Sequence, residues 1–145
     1  MEIVELETEE EYREAFPVMK ELRTHLEEEQ FLSITADMVW EGYRLFAARD
    51  EDGTIVGLCG VSVCLNLYDG RHLWVYDLVT TRNRRSQGVG AALLRRMEDL
   101  AREEGCGRIA LSSGVKRTDA HRFYEQRAGY ERKSYVYVKD LPAAR

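Results

Sequence analysis

Hydrophobic and polar positions alternate from Glu2 to Leu6, with Ile3, Val4 and Leu6 apolar, and this spacing predicts a short strand. The period then changes. Thr8 precedes Glu9-Glu10-Glu11, a hydroxyl able to cap a helix followed by carboxylates against the positive end of its dipole. Tyr12, Phe16, Met19, Leu22 and Leu26 recur behind it at helical intervals. Pro17 falls inside that run, where a residue without an N–H is expected to kink or divide the helix. A second helix is expected from Thr35 to about Tyr43.

Strand-like runs follow. Leu45 to Arg49 and Ile55 to Leu65 flank Asp52-Gly53, a strong hairpin signal. Asp69-Gly70 is a second one and leads into His72 to Thr80, so this part reads as an antiparallel meander. Gly88 to Glu104 is helical, with Val89, Leu93, Leu94, Met97, Leu100 and Ala101 on one face and Gly105 placed to end it. Arg108 to Leu111 reads as a strand, Thr118 to Gln126 as a helix and Tyr135 to Val138 as a last strand. The order β-α-α-β-β-β-α-β-α-β predicts an α/β sandwich with a mixed, mostly antiparallel sheet and helices on both faces. With 145 residues, one domain over 1–145 is expected.

Composition narrows the partners. A net charge of −5 argues against nucleic-acid binding, which needs a basic face. The same acidity suits a cationic small molecule, or serves solubility alone. Cys59, Cys64 and Cys106 form no C-x-x-C spacing, and the first two sit in apolar stretches as small core residues. A reduced, cytoplasmic setting is expected. No signal peptide is read at the charged start, and no apolar run approaches the roughly 18 residues a bilayer span requires. No metal-ligand spacing is present among His25, His72 and His121.

The stretch that carries chemistry is Arg84-Arg85-Ser86-Gln87-Gly88-Val89-Gly90-Ala91, between a strand and a long helix. A helix N-terminus offers unpaired N–H groups and partial positive charge, and glycines let an anion approach the main chain. Together they make an anion cradle, to which an arginine adds a charge-assisted contact. A Walker A loop would end in Gly-Lys-Ser/Thr, and a Rossmann fingerprint would place a third glycine where Leu93 stands; both fail. The other reading left by the loop alone is a tight strand-to-helix turn containing two glycines.

The R-x-x-G-x-G spacing from Arg85 to Gly90 resembles the acetyl-CoA loop of the Gcn5-related N-acetyltransferase (GNAT) family. Asp77-Leu78-Val79-Thr80 resembles that family's fourth strand, and the run from Ala120 to Tyr130 resembles its A-x-x-F-Y-E-x-x-G-F segment. The likeness covers about Leu45 to Tyr137. It implies that the main chain of Arg85, Ser86, Gln87, Gly88, Val89, Gly90 and Ala91 holds the CoA pyrophosphate. It also implies that Leu78, Val79 and Thr80 pair with the pantetheine arm, and that a Leu78 or Val79 amide stabilises the oxyanion. Many members carry an Asn where Arg117 stands; Arg117 could reach cofactor phosphates or an anionic substrate group, or be a solvated side chain. A homodimer through the last strand is a further implication of the likeness.

Acetyl transfer from a thioester to an amine requires a neutral amine, a donor for the oxyanion and a proton for the leaving thiolate. Tyr124 matches the family's tyrosine that faces the CoA sulfur and is the candidate general acid; its other reading is a core tyrosine beside Phe123. Asp77 is the candidate base or amine-binding carboxylate, or else a strand-end aspartate paired with an arginine. His121, one helical turn before Tyr124, could relay a proton or be structural. The leading expectation is an acetyl-CoA-dependent enzyme for a small primary amine. Protein N-terminal or lysine acetylation and a non-catalytic CoA-binding module are the alternatives.

Overall fold

The computed structural model describes residues 1–142. The chain forms two compact units, Met1–Leu111 and a second beginning at Ser112. The first contains β1 (Glu2–Leu6), α1 (Glu9–Leu22), α2 (Glu28–Trp40), β2 (Arg44–Arg49), β3 (Ile55–Asn66), β4 (Gly70–Thr80), α3 (Val89–Glu103) and β5 (Arg108–Leu111). One turn of 3₁₀ helix, Arg82–Arg84, lies between β4 and α3. The sheet order is β1-β2-β3-β4-β5; the first four strands are antiparallel, and β5 runs parallel to β4.

Local chemistry explains the helix ends. Thr8 caps α1: its hydroxyl accepts from the Glu11 N–H at 3.1 Å, and the Glu11 carboxylate accepts from the Thr8 N–H at 3.0 Å. Pro17 lies inside α1 without dividing it. The helix stops instead at Arg23, whose backbone leaves the helical region at φ −104° and ψ 67°, so Leu26 lies beyond it. α2 starts at Glu28, earlier than its apolar pattern suggests, because the Gln30 side chain accepts the otherwise unpaired Glu27 N–H at 3.0 Å. Thr35 is therefore a mid-helix residue, its hydroxyl donating to the Phe31 carbonyl at 2.7 Å. Both hairpin turns form where expected, with Gly53 at φ 82° and Gly70 at φ 66°.

The sheet is covered on both faces. Tyr12, Ala15, Met19 and Phe31 of α1 and α2 share one buried cluster with Leu45, Leu58 and Val79. The neighbouring Gly57 points the other way: a Cβ there would lie 2.6 Å from Val89 and 3.1 Å from Leu93, so α3 seats directly on the bare glycine. Leu93 and Met97 are fully buried in that second layer. Each such side chain stabilises the fold by about 1.5–3 kcal/mol. The three cysteines are free thiols; Cys59 is buried, whereas Cys64 is only half-buried.

In the second unit the predicted helix is split into α4 (Thr118–Arg122) and a π-helical turn, Phe123–Arg127. The expected last strand is not formed. Residues 135–138 make no ladder, and Tyr135, Val136, Tyr137 and Val138 are all exposed. Strand propensity expresses itself only against a partner, and no described strand pairs with this stretch.

Candidate active site

β4 delivers the chain to the glycine loop, and two anchors fix its start. The Thr81 hydroxyl donates to Glu21 of α1 at 2.6 Å, and the Arg82 N–H donates to the same carboxylate at 2.9 Å. Arg84 pairs with Asp50 at 3.1 Å and donates to the Gln87 side chain at 3.1 Å. Two left-handed residues, Ser86 at φ 63° and Gly88 at φ 85°, then bend the main chain into the first turn of α3. Ser86 holds this conformation without glycine's freedom, at a cost of roughly 1 kcal/mol.

The loop fits a pyrophosphate on three counts. No side chain caps α3, whose first main-chain bond runs from Ala92 N–H to Gly88 O, so the amides of Val89, Gly90 and Ala91 precede any helical acceptor. A Cβ at Gly88 would meet nothing within 4 Å, so the space beside it is open. Arg85, Ser86, Gln87 and Gly88 are exposed, and Arg82, Arg84 and Arg85 put positive charge around them.

β4 outruns its parallel neighbour. The last β4–β5 pair is Val75 with Leu111, whereas β4 stays paired to β3 as far as Thr80 with Gly57. On the side away from β3, residues 76–80 therefore present a sheet edge to which no described strand is paired. The Thr81 N–H donates to the Val56 carbonyl at 2.9 Å. Antiparallel alternation from that bond turns Asp77 and Val79 toward β3, and Leu78 and Thr80 toward the open side. The Thr80 carbonyl there accepts from Arg85 Nε at 3.3 Å, which ties the edge to the loop.

The same strand carries a β-bulge. Register passes from Val61 opposite Val75 to Gly60 opposite Asp77, which leaves Tyr76 as the extra residue. Asp77 is paired with an arginine, as one of its two sequence readings held. Arg23 Nε donates to Oδ1 at 3.0 Å, and Tyr43 Oη donates to Oδ2 at 2.7 Å. Burial, with Asp77 beside it, pushes the Tyr43 phenol well above its usual range, so it is a donor at any physiological pH. The centre of this network tolerates no side chain opposite it: a Cβ on Gly60 would lie 1.9 Å from Tyr43 Oη and 2.8 Å from Asp77 Oδ2. Burial likewise pushes the Cys59 thiol up, which suits an inert core residue rather than a nucleophile.

In the second unit Tyr124 is buried, its ring packed 5.4 Å from that of Phe123 and 6.0 Å from that of Tyr130. His121 Nε2 lies 2.9 Å from the Gly114 carbonyl, and Arg117 stands at the start of α4. Among the described residues no cluster of His, Cys, Asp or Glu could hold a metal ion. No described helix is long and apolar enough to cross a membrane.

Sequence reading named Asp77 and the loop but missed Glu21, Arg23, Tyr43 and Gly60. The partners of Glu21, Arg23 and Tyr43 lie 34 to 61 residues away, and Gly60 meets Tyr43 and Asp77 across the sheet, so no local pattern marks them. The bulge at Tyr76, a single extra residue in an otherwise regular strand, leaves no local mark either.

The family model for the acetyltransferase (GNAT) family matches residues 4–130. The chain is 43% identical over 138 residues to the uncharacterized N-acetyltransferase YhdJ of Bacillus subtilis, covering 94% of this chain and 96% of that one. It is 33% identical over 92 residues to the aminoalkylphosphonate N-acetyltransferase of Salmonella typhimurium, covering 63% of this chain and 59% of that enzyme. Among solved structures, a putative acetyl transferase from Pyrococcus furiosus has a TM-score of 0.78 at 24% identity, covering 97% and 99% of the two chains. A structure of AAC(6')-Iy with a CoA bisubstrate analogue has a TM-score of 0.83 at 15% identity, covering 98% of each chain. A mixed sheet whose fourth strand outruns its neighbour and feeds a glycine loop, matched by a family model across most of its length, places this chain in the acetyltransferase (GNAT) family.

Proposed function

We propose that this acetyltransferase carries the acetyl group of acetyl-CoA to the primary amine of a small molecule, by direct attack of the amine on the thioester. The observation that carries the reading is the bare β4 edge at residues 76–80 running into the open, uncapped loop at residues 85–91. Main-chain groups of Leu78 and Thr80 would pair with the pantetheine arm, and the Arg85–Ala91 amides would hold the pyrophosphate. Acetyl-CoA supplies an activated acyl group on a thiolate leaving group.

In the transfer, a bond forms from the amine nitrogen to the acyl carbon and the carbon–sulfur bond breaks. Of the two amides considered for the oxyanion, Leu78 N–H is on the open side by register, and Val79 N–H is turned to β3. Tyr124 donates the proton that the thiolate takes up, since an ordinary phenol is protonated at neutral pH, and it is reprotonated by the second proton that the nitrogen sheds as the amide forms. Both Asp77 oxygens are engaged by Arg23 and Tyr43. We therefore assign removal of the ammonium proton to water, and to Asp77 a fixed negative charge on β4.

The similarity to an aminoalkylphosphonate enzyme favours a small amine as acceptor, and the net charge of −5 suits the positive charge of its ammonium group. The test is release of free thiol from acetyl-CoA with polyamines, aminoalkylphosphonates, amino sugars, amino acids and N-terminal or lysine peptides. Turnover is expected with a small amine. Turnover on peptides alone would overturn the acceptor class. Thermal stabilisation by CoA without any turnover would overturn catalysis and favour a CoA-binding module.

A further inference from the structure

We propose that Arg23 is a positioning residue for acetyl transfer, a clamp that holds the β4 bulge at Tyr76 and thereby sets which amide faces the open edge. The inference rests on the reading of β4 as the acyl-binding strand.

Arg23 is the first residue beyond α1, and its N–H still bonds the Met19 carbonyl at 2.8 Å. Its guanidinium makes two different contacts on consecutive β4 residues. Nε donates to the Asp77 carboxylate at 3.0 Å, and a terminal nitrogen donates to the Tyr76 carbonyl at 2.7 Å. Tyr76 is the residue that the β3–β4 register skips. Tyr76 thus stands opposite no β3 residue, and Arg23 supplies a donor to its carbonyl. An extra residue shifts main-chain alternation by one, so the direction of the Leu78 amide depends on the bulge staying where it is.

The rest of the network supports the clamp. The Asp77 side chain is only 11% exposed, and Tyr43 fixes its second oxygen. Gly60 leaves the room that lets these groups meet. A planar fork is needed to reach a side chain and a main-chain carbonyl at once. A lysine keeps the charge but, as a single compact ammonium, does not reproduce the pair of contacts.

The test compares R23A, R23K and Y43F with the wild type. It measures kcat, KM for acetyl-CoA, CoA affinity, and hydrogen exchange at the Asp77 and Val79 amides. R23A and R23K are both expected to lower kcat roughly tenfold or more, since misplacement by about 1 Å can cost 10²-fold. CoA affinity should fall less than kcat, because the loop is untouched and only the pantetheine pairing at Leu78 and Thr80 is disturbed, and Asp77 and Val79 should exchange faster in both variants. Y43F, which keeps the clamp, should lose less kcat than either. Recovery of wild-type kcat in R23K would show that charge alone matters and would overturn the proposal. So would unchanged exchange at Asp77 in a folded R23A or R23K. If the wild type turns over no amine, the acceptor assignment fails, and the exchange measurement still decides the clamp.

Discussion

Gly60→Ala perturbs the molecule with one methyl group at its least tolerant point. The new Cβ would sit 1.9 Å from Tyr43 Oη and 2.5 Å from its ring carbon, far inside contact distance. Tyr43 is 4% exposed and hydrogen-bonded, so its ring has no empty space to enter. Displacing it costs about 1–3 kcal/mol in overpacking and strain. Losing its bond to a carboxylate adds about 1.5–3 kcal/mol. A loss of about 2.5–6 kcal/mol is expected, which at roughly 4 °C per kcal/mol for a domain of this size lowers Tm by about 10–24 °C. Gly107→Ala is the control, because a Cβ there meets nothing within 4 Å and its φ is not in the left-handed range. Thermal melts of both variants, with thiol release at a permissive temperature, make the measurement. A Tm for Gly60→Ala within about 4 °C of wild type would refute the packing argument.

Three further outcomes are expected. Gly88→Glu places a long anionic side chain at φ 85° beside the uncapped helix, and calorimetry should show CoA affinity falling at least 100-fold; wild-type affinity would remove this loop from the cofactor site. Tyr124→Phe should lower kcat by roughly 10²–10³ with CoA affinity little changed, as loss of a general acid does; unchanged turnover would remove Tyr124 from the mechanism. Burial, with Glu5 and Glu11 nearby, pushes the Tyr12 phenol up to about 12. The folded state therefore holds this proton more tightly than the unfolded chain, so its contribution is complete below pH about 10 and lost as pH rises towards 12. Denaturant melts across that range should show falling stability, partly flattened in Tyr12→Phe, and an unchanged slope in that variant would contradict the assignment.

What could be read from the sequence was local chemistry. The Thr8 cap, the Asp52-Gly53 and Asp69-Gly70 turns and the apolar face of α3 each lie within a few residues and appear in the fold. The glycine loop was legible for the same reason, since spacing alone separates it from nucleotide-binding loops. Contacts set by topology were not legible. Arg23 and Tyr43 meet Asp77 only because α1 and β2 are brought against β4. Leu26 matched the helical period of α1, yet Arg23 ends that helix first. Residues 135–138 carry a strand pattern, and a pattern makes a strand only where a partner accepts its hydrogen bonds.

The loop's role as the pyrophosphate cradle is tested most directly by titrating CoA into the isotopically labelled protein and following its backbone amides by NMR. The amides of Gly88, Val89, Gly90 and Ala91 should shift strongly and saturate together with those of Leu78 and Thr80. Saturable binding that leaves residues 88–91 unmoved would contradict the account.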